Sequence, residues 1–471
     1  MNTRLLFLLL LTCSATARAA DFASVADGKT DATAMIQQAI DAGTGDIELP
    51  KGSYLLTKTL EVNLNKTGYT SISGHGVARL IMSAAGPAIH FIGTHEGSAD
   101  PASVKPDVYE KERTPMVDAL EIIGAHPEAD GIEATKTMQL TVSRCTVRDC
   151  RHGVHLTERN RNFIITDCHF YKNSGIGVFY DNVNLHQSNI IGTHISYCRG
   201  GGVVSHGGNV RNVQIGTCDI EGNMSKDSPP TANVWLDSTG GSIGEVAITG
   251  CTLQHSSKAP GCANIRIEGA GDDPALERRT GGKFTREGNV TISGNVFSDI
   301  QYNVHIKDSR GVTVTGNSFW EGFQHDLLVE DSSHIVISGN NFDRNPRYAV
   351  NGFNAAENNG IVIKGCSECS IQGNIISGVM RKRAALDISH CSRLNIGHNS
   401  VYDSDGVGIL LEEVNQSLLS NCIVRDDREE AVRSKEPSLR IVGGKDNLIG
   451  ENLLGHGRET IVKESRPVDA K

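Results

Sequence analysis

Three short segments carry residue types suited to chemistry on a sugar chain: Asn233-Val-Trp235-Leu-Asp237, Asn264-Ile-Arg266-Ile-Glu268 and Asn303-Val-His305-Ile-Lys307. In each, apolar residues alternate with polar ones, the period of a strand with one buried face. Val304 and Ile306 are therefore expected to point inward, and His305 and Lys307 outward. Carried along the chain, this register gives a first outward row of His90, Glu133, His155, Phe179, Val204, Trp235, Arg266, His305, Leu328, Val362, Asp387 and Leu410. The second row holds Thr135, Thr157, Asp181, Ser205, Asp237, Glu268, Lys307 and Glu330, and the residues ahead of the strands (Asn233, Asn264, Asn303, Asp326) are expected to extend the same face. Neighbours in a row of a parallel sheet stand about 5 Å apart. Trp covers the apolar face of a sugar ring, Arg grips a carboxylate or sulfate with two N–H groups, and imidazole moves protons.

Such rows need a scaffold that repeats. Cys145, Cys168, His194, Cys218, Cys251, Asn295, Asn317, Asn340, Asn374, Asn399, Cys422 and Asn452 each follow one apolar strand and precede another, mostly at spacings of 22 to 26 residues. A fixed period in this range marks a solenoid, each repeat being one coil. The plainest coil runs from Val290 through Asn295 to Lys307. With 51 glycines for tight turns and only 5% aromatics, the chain is expected to be all-β, a right-handed parallel β-helix with three strands per coil. The Asn row is expected to stack and satisfy buried backbone groups. Cysteines at the same turns are expected to be packed thiols, with Cys366 and Cys391 the best placed to form a disulfide.

Four divisions follow. Residues 1–20, with Arg4, an apolar run from Leu5 to Leu11 and Ala17-Arg-Ala19, have the pattern of a cleaved secretory signal, so the protein is expected to be secreted or periplasmic. Residues 21–60 form a cap: Asp31 is the expected helix N-cap, Met35, Ile36, Ala39 and Ile40 recur at helical spacing, and Gly43 ends the helix. Residues 61–466 form the coils, and 467–471 a polar tail. No stretch after the signal is apolar over 18 residues, so no membrane span is expected.

The segment Asp27-Gly28 to Asp31, the helix after it, and Leu49-Pro50-Lys-Gly52-Ser-Tyr54 resemble the N-terminal cap of the pectate-lyase-like superfamily. The resemblance implies the β-helix along nearly the whole chain and leaves the chemistry open among lyases, epimerases, glycosidases and tailspikes. It also weighs against two branches. The N-T-D and R-I-K motifs of polygalacturonases are absent, and the D-P-H signature of epimerases is missing, Asp273-Pro274 being followed by Ala275.

The partner expected is a polysaccharide. The formal net charge is −10, with no overall basic surface for nucleic acid, while Arg278, Arg279, Lys283 and Arg286 form a local basic loop suited to an anionic ligand. The favoured activity is a lyase or C5-epimerase on a uronate polymer. There Arg266 and Lys307 would neutralise the carboxylate and His305 would take the adjacent proton, with His155 or Tyr180 as further acids. Trp235, Asp237, Glu268, Phe179, Tyr180, Asn264, Asn303 and Glu133 would contact the chain. A glycoside hydrolase using Asp237 and Glu268, and a non-catalytic carbohydrate-binding or surface-structural β-helix, are the alternatives. No cofactor is required; calcium is a possible addition at Asp237, Glu268, Asp326 and Glu330. The oligomeric state is not legible.

Overall fold

The computed structural model describes residues 22–98, 100–271, 287–347, 356–455, 457 and 460–464. The segment 1–20 and the basic residues Arg278, Arg279, Lys283 and Arg286 lie outside the described residues. Every recorded strand pairing is parallel and links one coil to the next, so the chain is a right-handed parallel β-helix with three faces. Sixteen described strands stack into one sheet. The other two faces merge into a second, because Ala129–Met138 and Val154–Thr166 run through the corner between them.

The interior is a continuous column of Val, Ile, Leu and Cys, with a short aromatic stack of Phe297, Phe319 and Phe342 at ring separations of 4.8 and 4.5 Å. Burying these side chains is the main driving force, since no coil can cover its apolar face alone. At the first end, α1 (Thr33–Asp41) lays Ile36 and Ile40 over the opening, and Gly43 at φ 64° ends the helix. The helix starts one residue later than expected, with Ala32 at the N-cap. Asp31 still serves the end, accepting from Thr33 N at 2.9 Å and Thr33 Oγ1 at 2.6 Å.

The turn ladder forms as expected. Asn317 donates to Ile292 O at 3.0 Å and to Asn340 Oδ1 at 3.0 Å, and its own Oδ1 accepts from Asn295 N at 2.9 Å. Two expectations need correction. His194 is not in this column: Thr193 is the buried turn residue, its Oγ1 accepting from Cys168 N at 3.4 Å, and His194 points to solvent. Cys366 and Cys391 are stacked but unbonded, Cys391 Sγ accepting from Cys366 N at 3.3 Å, and all eleven described cysteines are buried free thiols.

Candidate active site on the outer face

Both outward rows exist. The pairings Glu133 with His155, His155 with Phe179, Phe179 with Val204, Val204 with Trp235, Trp235 with Arg266, Arg266 with His305, and His305 with Leu328 run unbroken across the sheet. Asp181, Asp237, Glu268, Lys307 and Glu330 follow in the second row, with His206 in the place expected of Ser205. Ser205 aligns instead with the inward Tyr180 and is fully buried.

Side chains on this face reach diagonally, from the first row of one coil to the second row of the next. His155 Nε2 lies 3.1 Å from Asp181 Oδ2, Trp235 Nε1 donates to Glu268 Oε2 at 3.2 Å, and His305 Nε2 lies 3.1 Å from Glu330 Oε2. His206 Nδ1 stands 2.6 Å from Asp237 Oδ2 within the second row. Glu133 stays on the surface row beside His90, at 3.6 Å. A carboxylate fixed to one ring nitrogen selects the tautomer that leaves the other as the proton acceptor.

Several assignments change. Tyr180 is buried in the coil, its hydroxyl 2.7 Å from Ser188 Oγ, and burial raises its pKa, so it neither contacts a ligand nor supplies a proton. Asn264 and Asn303 also point inward. They belong to a directional amide chain: Asn223 donates to Asn233 at 2.9 Å, Asn233 to Asn264 at 2.7 Å, Asn264 to Asn303 at 2.8 Å, and Asn303 to Asp326 Oδ1 at 2.7 Å. Each amide both donates and accepts, whereas the last member only accepts, and Asp is suited to that position. In the next coil Gly360 pairs with His325 and Ile361 with Leu327, which leaves Asp326 without a register partner, so the chain of side chains stops.

Asp326 is therefore a buried ladder terminus and not a calcium ligand. Burial, as the largest cause, pushes its carboxyl up to about 7. Among the described residues, no group of three or more His, Cys, Asp or Glu side chains is arranged to hold a metal. Arg266 also departs from expectation. It is only 9% exposed, lies 5.3 Å over the Trp235 ring, and donates from Nη2 to Gly261 O in the loop before its strand. It braces the tryptophan and that loop instead of presenting a free guanidinium.

The cation beside His325 comes from a residue the strand register does not include. Lys382 crosses back over Gly360, where a Cβ would sit 2.8 Å from both Lys382 Cε and His325 Nδ1; the two atoms are thus within about twice that distance of each other. Its chain neighbours are engaged, Arg381 with Asn358 and Glu357, and Arg383 with Asp387 and Glu412. Lys382 has no hydrogen bond or ion pair. Burial first, then Arg381, lowers its pKa. Tyr302 stacks between His305 and His325, at 5.7 and 5.5 Å. Burial lowers the pKa of His305, Glu330 partly opposing, and burial with Lys382 takes His325 to about 3, so both rings are neutral at neutral pH. Nδ1 of each is buried without a partner.

The right-handed β-helix family matches residues 121–253, 244–359 and 350–462, and the chain belongs to that family. The chain is also similar to several solved structures. The Dettilon tailspike protein superposes with a TM-score of 0.48 at 14% identity, covering 94% of this chain and 67% of that one. The α-1,3-glucanase catalytic unit of Streptomyces thermodiastaticus gives 0.45 at 11%, covering 91% and 68%. The Azotobacter vinelandii mannuronan C-5 epimerase A-module gives 0.39 at 13%, covering 94% and 96%. No curated protein matches the sequence. No described helix is long and apolar enough to cross a membrane.

Proposed function

We propose that this β-helix acts on a uronate-containing polysaccharide by removing the proton beside the carboxylate, as a lyase or C5-epimerase, after export through cleavage of residues 1–20. The observation that carries the reading is the His305–Glu330 pair, a neutral base on the outward row, with the Tyr302–His325 stack leading from it to Lys382. Lys382, with Lys307 in the second row between Glu268 and Glu330, neutralises the sugar carboxylate, which stabilises the carbanion-like charge that forms on deprotonation. The His305–Glu330 pair takes the proton at the Nε2 edge the two side chains share, since Nδ1 of His305 is buried. Tyr302, stacked on His305, gives a proton to the departing oxygen in a lyase or to the opposite ring face in an epimerase. Trp235, braced by Arg266, covers an apolar ring face further along the row.

The test is incubation of the purified protein with pectic, alginate and glycosaminoglycan chains. Absorbance from unsaturated uronide ends supports a lyase, and deuterium entering C5 from heavy water without new ends supports an epimerase. Neither signal on any uronate polymer sinks the proposal. A hydrolase reading keeps one observation, Asp237 and Glu268 as register partners; new reducing ends without absorbance would favour it.

A further inference from the structure

The first coils hold a second, separate cleft on the sixteen-stranded sheet, with a volume of about 700 Å³. Its lining includes Lys51, Arg79, Glu121, Arg144, His169 and Tyr171. Arg79, Glu121 and His169 lie in one outward row, Thr146 standing between the last two, and Tyr171 lies in the next, alongside Arg148. Glu121 is the one carboxylate in the lining, and it is bracketed by Arg79 Nε at 2.7 Å and Arg148 Nε at 2.8 Å. Asp118 holds Arg144 through Nε at 3.0 Å and Nη2 at 2.5 Å, leaving Nη1 unengaged. Lys51, exposed in the bend before the strand Gly52–Leu56, has no hydrogen bond or ion pair among the described residues.

The lining thus carries three cations against one carboxylate, on a protein whose formal net charge is −10, with phenol and imidazole rings beside them. Two guanidinia are fixed by acids on one side and present N–H groups on the other, and a free ammonium stands at the rim. Fixed N–H donors beside aromatic faces suit a ligand with both negative charge and an apolar ring face. We propose that this cleft is an accessory binding site for an anionic saccharide segment, carboxylated or sulfated. It would hold the polymer independently of the His305 face and raise its effective concentration there. The assignment does not rest on the chemistry at His305.

Isothermal titration on the His305→Ala/Lys382→Ala double variant, in which the other face is disabled, tests it. The probes are tetragalacturonate, a heparin tetrasaccharide and neutral maltotetraose. The expected result is binding of one or both anionic probes that weakens with added salt, falls about tenfold or more in Lys51→Glu, and falls several-fold in Tyr171→Ala. The probe that binds tells carboxylate from sulfate. Equal binding of maltotetraose, no binding of either anionic probe, or unchanged affinity in folded Lys51→Glu would overturn the site. A protein that processes polyuronate but shows no such binding loses this inference and keeps the proposed function; the opposite outcome keeps the cleft alone.

Discussion

The outer face carries two arrangements built to one plan. In the early coils, His155 pairs with Asp181, His152 packs 5.3 Å from His155, and Phe179 stacks on it at 5.2 Å and 8°. In the later coils, His305 pairs with Glu330, and Tyr302 stacks between His305 and His325. Both place an imidazole in the first row, a carboxylate diagonally on the next coil, and an aromatic ring stacked on the imidazole. They differ in the cation. Beside His155, Arg151 donates through Nε and Nη2 to the buried Asp130, and its charge is neutralised within the protein. In the later coils Lys382, beside His325, makes no ion pair among the described residues, and Asp387, the acid that acts on it, is held by Arg383. A repeated scaffold readily duplicates a dyad, but a base becomes useful where a charge has been left for the substrate to meet.

The largest expected effect separates the two sites directly. His305→Ala should lower turnover of a polyuronate by about 10²- to 10⁴-fold, the usual contribution of a positioned base, while His155→Ala changes it less than about threefold. Equal losses would erase the distinction. Next, Lys382→Met should cut kcat/KM by about 10- to 100-fold at little cost in stability, because it keeps the packing over Gly360 and removes the charge. An unchanged rate in a folded Lys382→Met protein would return the neutralising role to Lys307 or Arg266.

The pH profile comes third. Since burial lowers the pKa of His305, the acidic limb of kcat/KM should fall below the ordinary histidine value of about 6.5, and the rate should be lost as pH drops through it. Glu330→Gln removes the group that favours the charged ring, so it should move that limb further down. A limb above 6.5 would contradict the buried, neutral base.

The smallest effect concerns stability beneath the later site. Asp326 has a folded pKa raised to about 7, so its contribution is fully present below the unfolded carboxyl value and declines as pH rises through that window to about 7. Asp326→Asn keeps an acceptor for Asn303 and removes the ionisation. It should raise the unfolding free energy read from urea titration at pH 8 by on the order of 1–3 kcal/mol, and change it little near pH 4. The same gain at both pH values would show that the carboxyl does not titrate there.

Much of this was legible in the sequence, for a mechanical reason. A strand whose one face is buried cannot slip by a residue without turning its whole apolar set outward. Val304 and Ile306 therefore place His305 and Lys307 on the surface, and the row from His90 to Leu410 can be read coil by coil. The errors cluster at corners. Asn303 stands two residues before His305 and has its parity, yet it points inward, because the alternation breaks at the corner where Asn303 and Val304 are buried side by side. His194 and Thr193 exchange roles for a similar reason, since a turn admits either of two neighbours and only packing decides which fits. His206 was missed because the Gly201–His206 strand was read one residue short.

The sequence by itself determined the solenoid, its period, the capping helix and the identity of the outward rows, because strand alternation and turn chemistry act between residues close along the chain. Tertiary structure alone decided which of those residues are available for chemistry. Arg266 is consumed by Trp235 and a loop carbonyl, Asn303 by an amide chain that crosses four coils, and Lys382 reaches His325, two coils away, over Gly360. Those contacts join residues tens of positions apart, and their outcome depends on which neighbour fills the space first, a fact of packing that no local pattern contains.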